Sequence, residues 1–112
     1  MEATIEMIGN SVVIVLPGSS LDASNARTLK QEVNLILESH KQVIFDLGEL
    51  HFVDSSGLGA ILSCLRHLNA RGGDLKLCAM SRPVRALFEI VRMHRIFDIY
   101  NSKEEAAAAF EN

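Results

Sequence analysis

Apolar and polar residues along this chain switch between a period of two and a period of 3.6, and each switch marks an element. Thr4–Ile8 alternates weakly and is followed by Gly9-Asn10, a turn pair that predicts an opening hairpin. Val12–Leu16 is a β-branched run ended by Pro17-Gly18, the pattern of a strand buried on both faces. Ala26, Leu29, Val33, Ile36 and Leu37 then share one helical face, with Ser24 or Asn25 as the N-cap. Val43–Leu47 predicts a second buried strand. Leu58, Ile61, Leu62, Leu65 and Leu68 repeat at helical spacing up to Gly72-Gly73, which supplies the left-handed geometry that ends a helix. Leu75–Cys78 predicts a third buried strand. Val84, Leu87, Phe88 and Val91 form the face of a third helix opened by Pro83. Ile96–Ile99 reads as a short last strand, and Lys103–Phe110 as an alanine-rich terminal helix.

The order ββαβαβα(β)α predicts an α/β fold: a mixed, mainly parallel sheet of four to five strands covered by about four helices. The length of 112 residues suits one domain, expected to span 1–112. With 48% hydrophobic and 22% charged residues the chain can bury a core. It has no tryptophan, so that core must rest on Leu, Ile, Val and Ala.

Charge narrows the classes of partner. A net charge of −3 and an isoelectric point near 5.7 are a poor footprint for nucleic acid, which demands a basic stripe. Arg82, Arg85, Arg92 and Arg95 cluster late in the chain. They read either as the solvated face and C-terminal charges of one helix or as a docking surface for an acidic partner. Met1-Glu2-Ala3-Thr4 lacks the basic and apolar regions of a signal peptide, and the apolar runs are far short of the ~20 residues that span a bilayer. A cytoplasmic protein without a membrane segment is expected. Cys64 and Cys78 form no CxxC pair and have no histidine at ligand spacing, which favours buried thiols in a reducing compartment over a disulfide or metal site. His40, His51, His67 and His94 are scattered and read as surface or boundary residues; no metal or cofactor is expected.

The stretch that carries chemistry runs from Leu50 to Leu62. His51-Phe52-Val53 leads into Asp54-Ser55-Ser56-Gly57-Leu58-Gly59, and a strong helix follows. Asp and Ser are good N-caps, because their oxygens accept from the helix's free N–H groups. The two glycines leave the backbone open to close approach by another molecule. A helix N-terminus tolerates negative charge, and a phosphoryl group would add about −1.5 to −2 charge and three acceptor oxygens. Beside Asp54 that charge is dense, and an interface built around the neutral loop would lose affinity. A plain N-cap explains the same residues, and capping does not separate Ser55 from Ser56. Enzymatic readings fail on particular positions. A GxSxG elbow would need glycine in place of Val53 or Asp54, a GxGxxG fingerprint glycine in place of Leu62, and no Gly-Lys-Ser/Thr run exists. The chain is expected not to be an enzyme.

The hexapeptide resembles the signature loop of STAS domains of the bacterial anti-sigma factor antagonist type. The likeness extends to Leu21-Asp22 with Ala26 and Thr28-Leu29-Lys30, to Phe45-Asp46-Leu47 with Leu50 and Phe52-Val53, to Gly72-Gly73 with Leu75–Cys78, and to Pro83-Val84 with Leu87-Phe88. The resemblance implies a partner switch. The serine directly after the Asp, Ser55, would be phosphorylated by a cognate serine kinase that is also the anti-sigma factor, and dephosphorylated by a PP2C-type phosphatase. The unphosphorylated form would bind the kinase and free its client regulator. In that scheme Asp54 and Ser56 shape the loop, Gly57 and Gly59 allow close approach, and Asp22 lies on the neighbouring loop that meets the partner. Together with Ser55 and Leu58 they form the implied partner-binding set. ATP would be bound by the kinase, and the protein would be a monomer that pairs with it. Ser19-Ser20, after Pro17-Gly18, departs from the glycine and charged residue that many relatives carry before Leu-Asp. An alternative within the same resemblance is a constitutive interaction module, such as an accessory subunit of a lipid ABC transporter.

Overall fold

Strand β2 (Ser11–Val15) alternates which way its buried side chains point: Val12 and Ile14 enter one apolar cluster and Val13 the other. From Val12 to Val15 every residue of the strand is apolar, so it must be covered on both faces, and helices do the covering. The structure, a computed structural model, describes residues 3–111. Met1, Glu2 and Asn112 lie outside the described residues, and with them the start of the segment read for a leader.

Strand β1 (Thr4–Ile8) pairs antiparallel with β2 through the Gly9-Asn10 turn. β2 then pairs parallel with β4 (Gln42–Asp46), β4 with β6 (Asp74–Cys78), and β6 with β7 (Asp98–Tyr100). The resulting order β1-β2-β4-β6-β7 is the predicted mixed, mainly parallel sheet, with five strands. Helices α1 (Ala26–Leu37), α2 (Ser55–Ala70) and α3 (Arg82–Ile90) place Leu29, Val33, Leu37, Ile61, Leu65, Leu68, Val84 and Phe88 in one cluster with Val12, Ile14, Val43, Phe45, Leu75 and Leu77. Helix α4 (Lys103–Glu111) covers the opposite face, where its small Ala106 and Ala107 side chains meet Val13, Ile44 and Cys78.

On that face Lys76 is 7% exposed yet charged. Burial pulls its ammonium down, but the hydrogen bond to Asp98 (2.9 Å) and the nearby carboxylates outweigh it and hold the group above its ordinary value. Its Nζ also lies 4.7 Å from the centre of the Phe110 ring. Cys64 and Cys78 are buried free thiols. Burial pushes them up to about 11 and about 12.

Four local expectations change. Asn25 occupies the N-cap of α1 and its carbonyl accepts from Leu29 N, but its side chain does not cap the helix; its Oδ1 accepts from Asp22 N and its Nδ2 donates to Ser20 O, so the side chain serves the preceding loop. α3 stops at Ile90, and Arg92 adopts a left-handed φ of 62°, after which Met93–Arg95 form a 3-10 turn. The four arginines therefore do not share one helix, and Val91 and Ile96 are exposed rather than core. The last strand begins at Asp98. Finally, a separate two-stranded parallel pair, β3 (Ser20–Leu21) with β5 (Phe52–Val53), joins the two loops beneath the head of α2. Gly72-Gly73 ends α2 as predicted, Gly72 through its φ of 80° and Gly73 because a Cβ there would stand 2.6 Å from the Lys41 carbonyl oxygen.

Candidate functional site

The head of α2 is built around Asp54. Its backbone is extended, as an N-cap requires, and its Oδ1 accepts from Gly57 N at 2.9 Å. The second carboxylate oxygen, Oδ2, accepts from Ala23 N at 3.1 Å, and Asp54 N donates to Leu21 O. One side chain thus caps the helix and ties it to the loop that follows β3. The cap is the aspartate, so neither serine hydroxyl is needed for it.

That neighbouring loop is held from within by Asp22. Its Oδ1 accepts from both Ser24 N and Ser24 Oγ, and its Oδ2 accepts from Ser20 Oγ. The Ser24 side-chain bond first, then the Ser24 backbone and Ser20 bonds, hold the Asp22 carboxyl below its ordinary value of 3.8. Of the Ser19-Ser20 departure, the Ser20 hydroxyl has a local use as a donor to Asp22, while Ser19 contributes its backbone carbonyl, which accepts from His51 N and Phe52 N.

The six residues of the signature loop divide by exposure. Ser55, Ser56 and Gly59 are exposed, Asp54 is half-buried, and Gly57 and Leu58 are buried. Leu58 belongs to the apolar core, so its side chain is not on the surface. Gly57 faces inward: a Cβ there would stand 2.4 Å from the Leu21 carbonyl oxygen and 2.9 Å from Val53 Cγ1. The close approach that this glycine allows is internal. Gly59 differs, because a Cβ built on it meets nothing within 4 Å.

A shallow groove of about 250 Å³ runs between α1 and α2 beside these residues, lined by Ala26, Arg27, Lys30, Ser56, Gly59 and Ala60. Lys30 enters the sequence reading only as part of the first helix and Arg27 not at all; neither is a site residue there. Their spacing of three on the polar side of α1 was the available signal, but only the packing of α1 against α2 brings them to Ser56. Phe52, on β5, is 56% exposed. A larger groove, about 430 Å³, lies between the β1–β2 turn and α4 and contains none of the predicted site residues. Among the described residues no cluster of His, Cys, Asp or Glu could hold a metal ion, and no helix is long and apolar enough to cross a membrane.

Comparison with known proteins gives consistent results. The STAS domain family pattern matches residues 4–106. A Bordetella bronchiseptica protein assigned as an anti-sigma factor antagonist, BtrV, is 34% identical over 112 residues, covering 99% of this chain and 96% of its own. The crystal structure of an assigned anti-sigma factor antagonist from Thermotoga maritima superposes with a TM-score of 0.90 at 22% identity, covering 98% of this chain and 95% of that one. The Bacillus cell fate determinant SpoIIAA in its phosphorylated form superposes with a TM-score of 0.71 at 26% identity, covering 97% and 99%. Its unphosphorylated form gives 0.69 at 25% identity, covering 96% of each chain.

Proposed function

This chain belongs to the STAS domain family, of the anti-sigma factor antagonist type, and from that membership we propose that it is a phosphorylation-controlled partner switch. We take 1–112 as one such domain, working in the cytoplasm. In its unphosphorylated form it binds a serine kinase that is also an anti-sigma factor and so releases the kinase's client. Phosphorylation at Ser55 ends the binding, and a PP2C-type phosphatase restores it.

The observation that carries this reading is the division of labour between Asp54 and Ser55. Asp54 supplies the cap and the tie to Ala23, which leaves Ser55 exposed at the first position of α2 with its hydroxyl not required for the fold. Such a serine can be modified without dismantling what holds it. A phosphoryl group there adds about two negative charges next to the Asp54 carboxylate, on a surface assembled with Asp22 close by. An interface formed on the neutral loop loses affinity through repulsion and the cost of desolvating the phosphate. The chain superposes on both the phosphorylated and the unphosphorylated form of SpoIIAA, with TM-scores of 0.71 and 0.69, so its fold is compatible with both states of that protein.

The test is intact mass and phosphosite mapping after incubation with ATP and the serine kinase encoded nearest to this chain. One phosphate on Ser55, absent in Ser55→Ala, is expected. Ser55→Ala should retain kinase binding, and Ser55→Asp should bind more weakly with the same fold. An active kinase that leaves the folded protein unmodified would overturn the reading in favour of a constitutive interaction module.

A further inference from the structure

The two glycines at the head of α2 have different physical reasons. Gly57 is required by the Leu21 carbonyl oxygen and Val53 that would collide with a side chain. Gly59 has no such neighbour, is exposed, and lies inside the helix, where glycine is less favourable than alanine. Among the described residues no contact at Gly59 explains that choice. What Gly59 does is keep the groove between α1 and α2 open, together with the small Ala26, Ser56 and Ala60 that line it.

The remaining two lining residues are cations. Arg27 and Lys30 are both exposed, and neither takes part in the ion pairs among the described residues, which involve Lys76, Arg85 and Lys103. Among the described residues no carboxylate lines the groove. The nearest acids of the site, Asp22 and Asp54, have their oxygens committed to Ser20, Ser24, Ala23 and Gly57. On a chain of net charge −3 this is a local positive site with an open floor, reached directly from Ser56.

We propose that the groove seats a carboxylate side chain of the partner kinase, paired with Arg27 and Lys30, with the kinase backbone passing close over Gly59; this rests on the partner-switch reading above. Charge complementarity selects the occupant: two unneutralised cations beside small residues fit an acidic side chain, and reject a basic one. The site also explains how a phosphate at the head of α2 reaches beyond its own contacts. Ser56 is on the groove wall and Ser55 precedes it, so a phosphoryl group on Ser55 brings negative charge to the edge of the same groove and competes with the incoming carboxylate for the same cations.

The experiment measures binding of the nearest-encoded serine kinase to the unphosphorylated protein, at about 50 and about 500 mM salt, with the Debye length falling from beyond the groove to a few ångströms. Arg27→Gln/Lys30→Gln removes the charge and Gly59→Leu fills the groove; melting curves confirm that both remain folded. Both variants are expected to bind at least about tenfold more weakly than wild type at low salt, and the charge variant to lose most of the salt dependence. Wild-type affinity and salt dependence in both variants, with wild type and Ser55→Ala still bound by the kinase, would overturn the groove assignment and leave the switch intact. Failure of the kinase to bind wild type and Ser55→Ala alike would overturn both.

Discussion

Gly57 and Leu21 are in effective backbone contact: the space that a Cβ would occupy on Gly57 lies 2.4 Å from the Leu21 carbonyl oxygen. This contact sets the distance between the head of α2 and the loop that carries Asp22. Both loops of the site are therefore positioned by a residue that has no side chain.

Gly57→Ala should destabilise the fold by ~2 kcal/mol or more, because the obstructing atom is backbone and cannot rotate away. Gly59→Ala has open space and should instead stabilise by ~0.5–1 kcal/mol, the helix-propensity gain. Thermal unfolding of the two variants should move in opposite directions. A similar loss for both would show that the contact with Leu21 does not set the spacing.

Asp54→Ala should cost ~1–2 kcal/mol, since it removes the α2 cap and the tie to Ala23 together. Asp54→Asn keeps one acceptor oxygen and can serve only one of the two N–H groups, so its loss should be smaller. Amide hydrogen exchange should show Gly57 and Ala23 both deprotected in the alanine variant. If only Gly57 responds, the aspartate is a cap and not a link between loops.

Asp22 is held below its ordinary value of 3.8 in the folded protein, by the Ser24 side-chain bond first. A depressed folded value means that its support of the loop is present above about 3.8 and is lost as pH falls through the folded value. Carboxyl carbon NMR should therefore give a midpoint for Asp22 below 3.8, moving upward in Ser24→Ala. A midpoint at or above 3.8 would refute the internal bonding of this loop.

Cys64 and Cys78 should resist thiol reagents in the folded state. With values pushed up to about 11 and about 12, at pH 8 roughly one thiol in a thousand or fewer is ionised at either position. Labelling with a chromogenic disulfide should proceed at the rate of unfolding and become rapid in denaturant. Fast labelling under native conditions would contradict the burial of both residues.

Much of the molecule was legible in the order of its residues. Val12–Leu16 is apolar at every position, and Val43–Leu47 and Leu75–Cys78 are apolar at all but Asp46 and Lys76; such runs point to strands covered on two faces, and the 3.6 period of Leu58 to Leu68 points to a helix on one of them. A cap at the head of α2 and the exposure of a serine there followed from local chemistry, because a helix's free N–H groups are satisfied by residues next to them in sequence; only the structure assigns the cap to Asp54. The early end of α3 was not legible: Arg92 adopts a left-handed backbone that favours glycine, and nothing in Val91-Arg92-Met93 signals it.

The β3–β5 pair, the inward role of Gly57 and the cationic groove were decided by tertiary structure alone. Two-residue strands have no period to read. A glycine's reason lies in the atom it meets, here a carbonyl on a loop far earlier in the chain. Arg27 and Lys30 gain their meaning only when the parallel sheet lays α1 beside α2 and brings them to Ser56 and Gly59. The sequence by itself determined the main strands and helices and that an Asp or Ser caps α2, because those depend on near neighbours. Which surfaces meet at the site depends on contacts between distant segments, and those exist only once the core has ordered the elements.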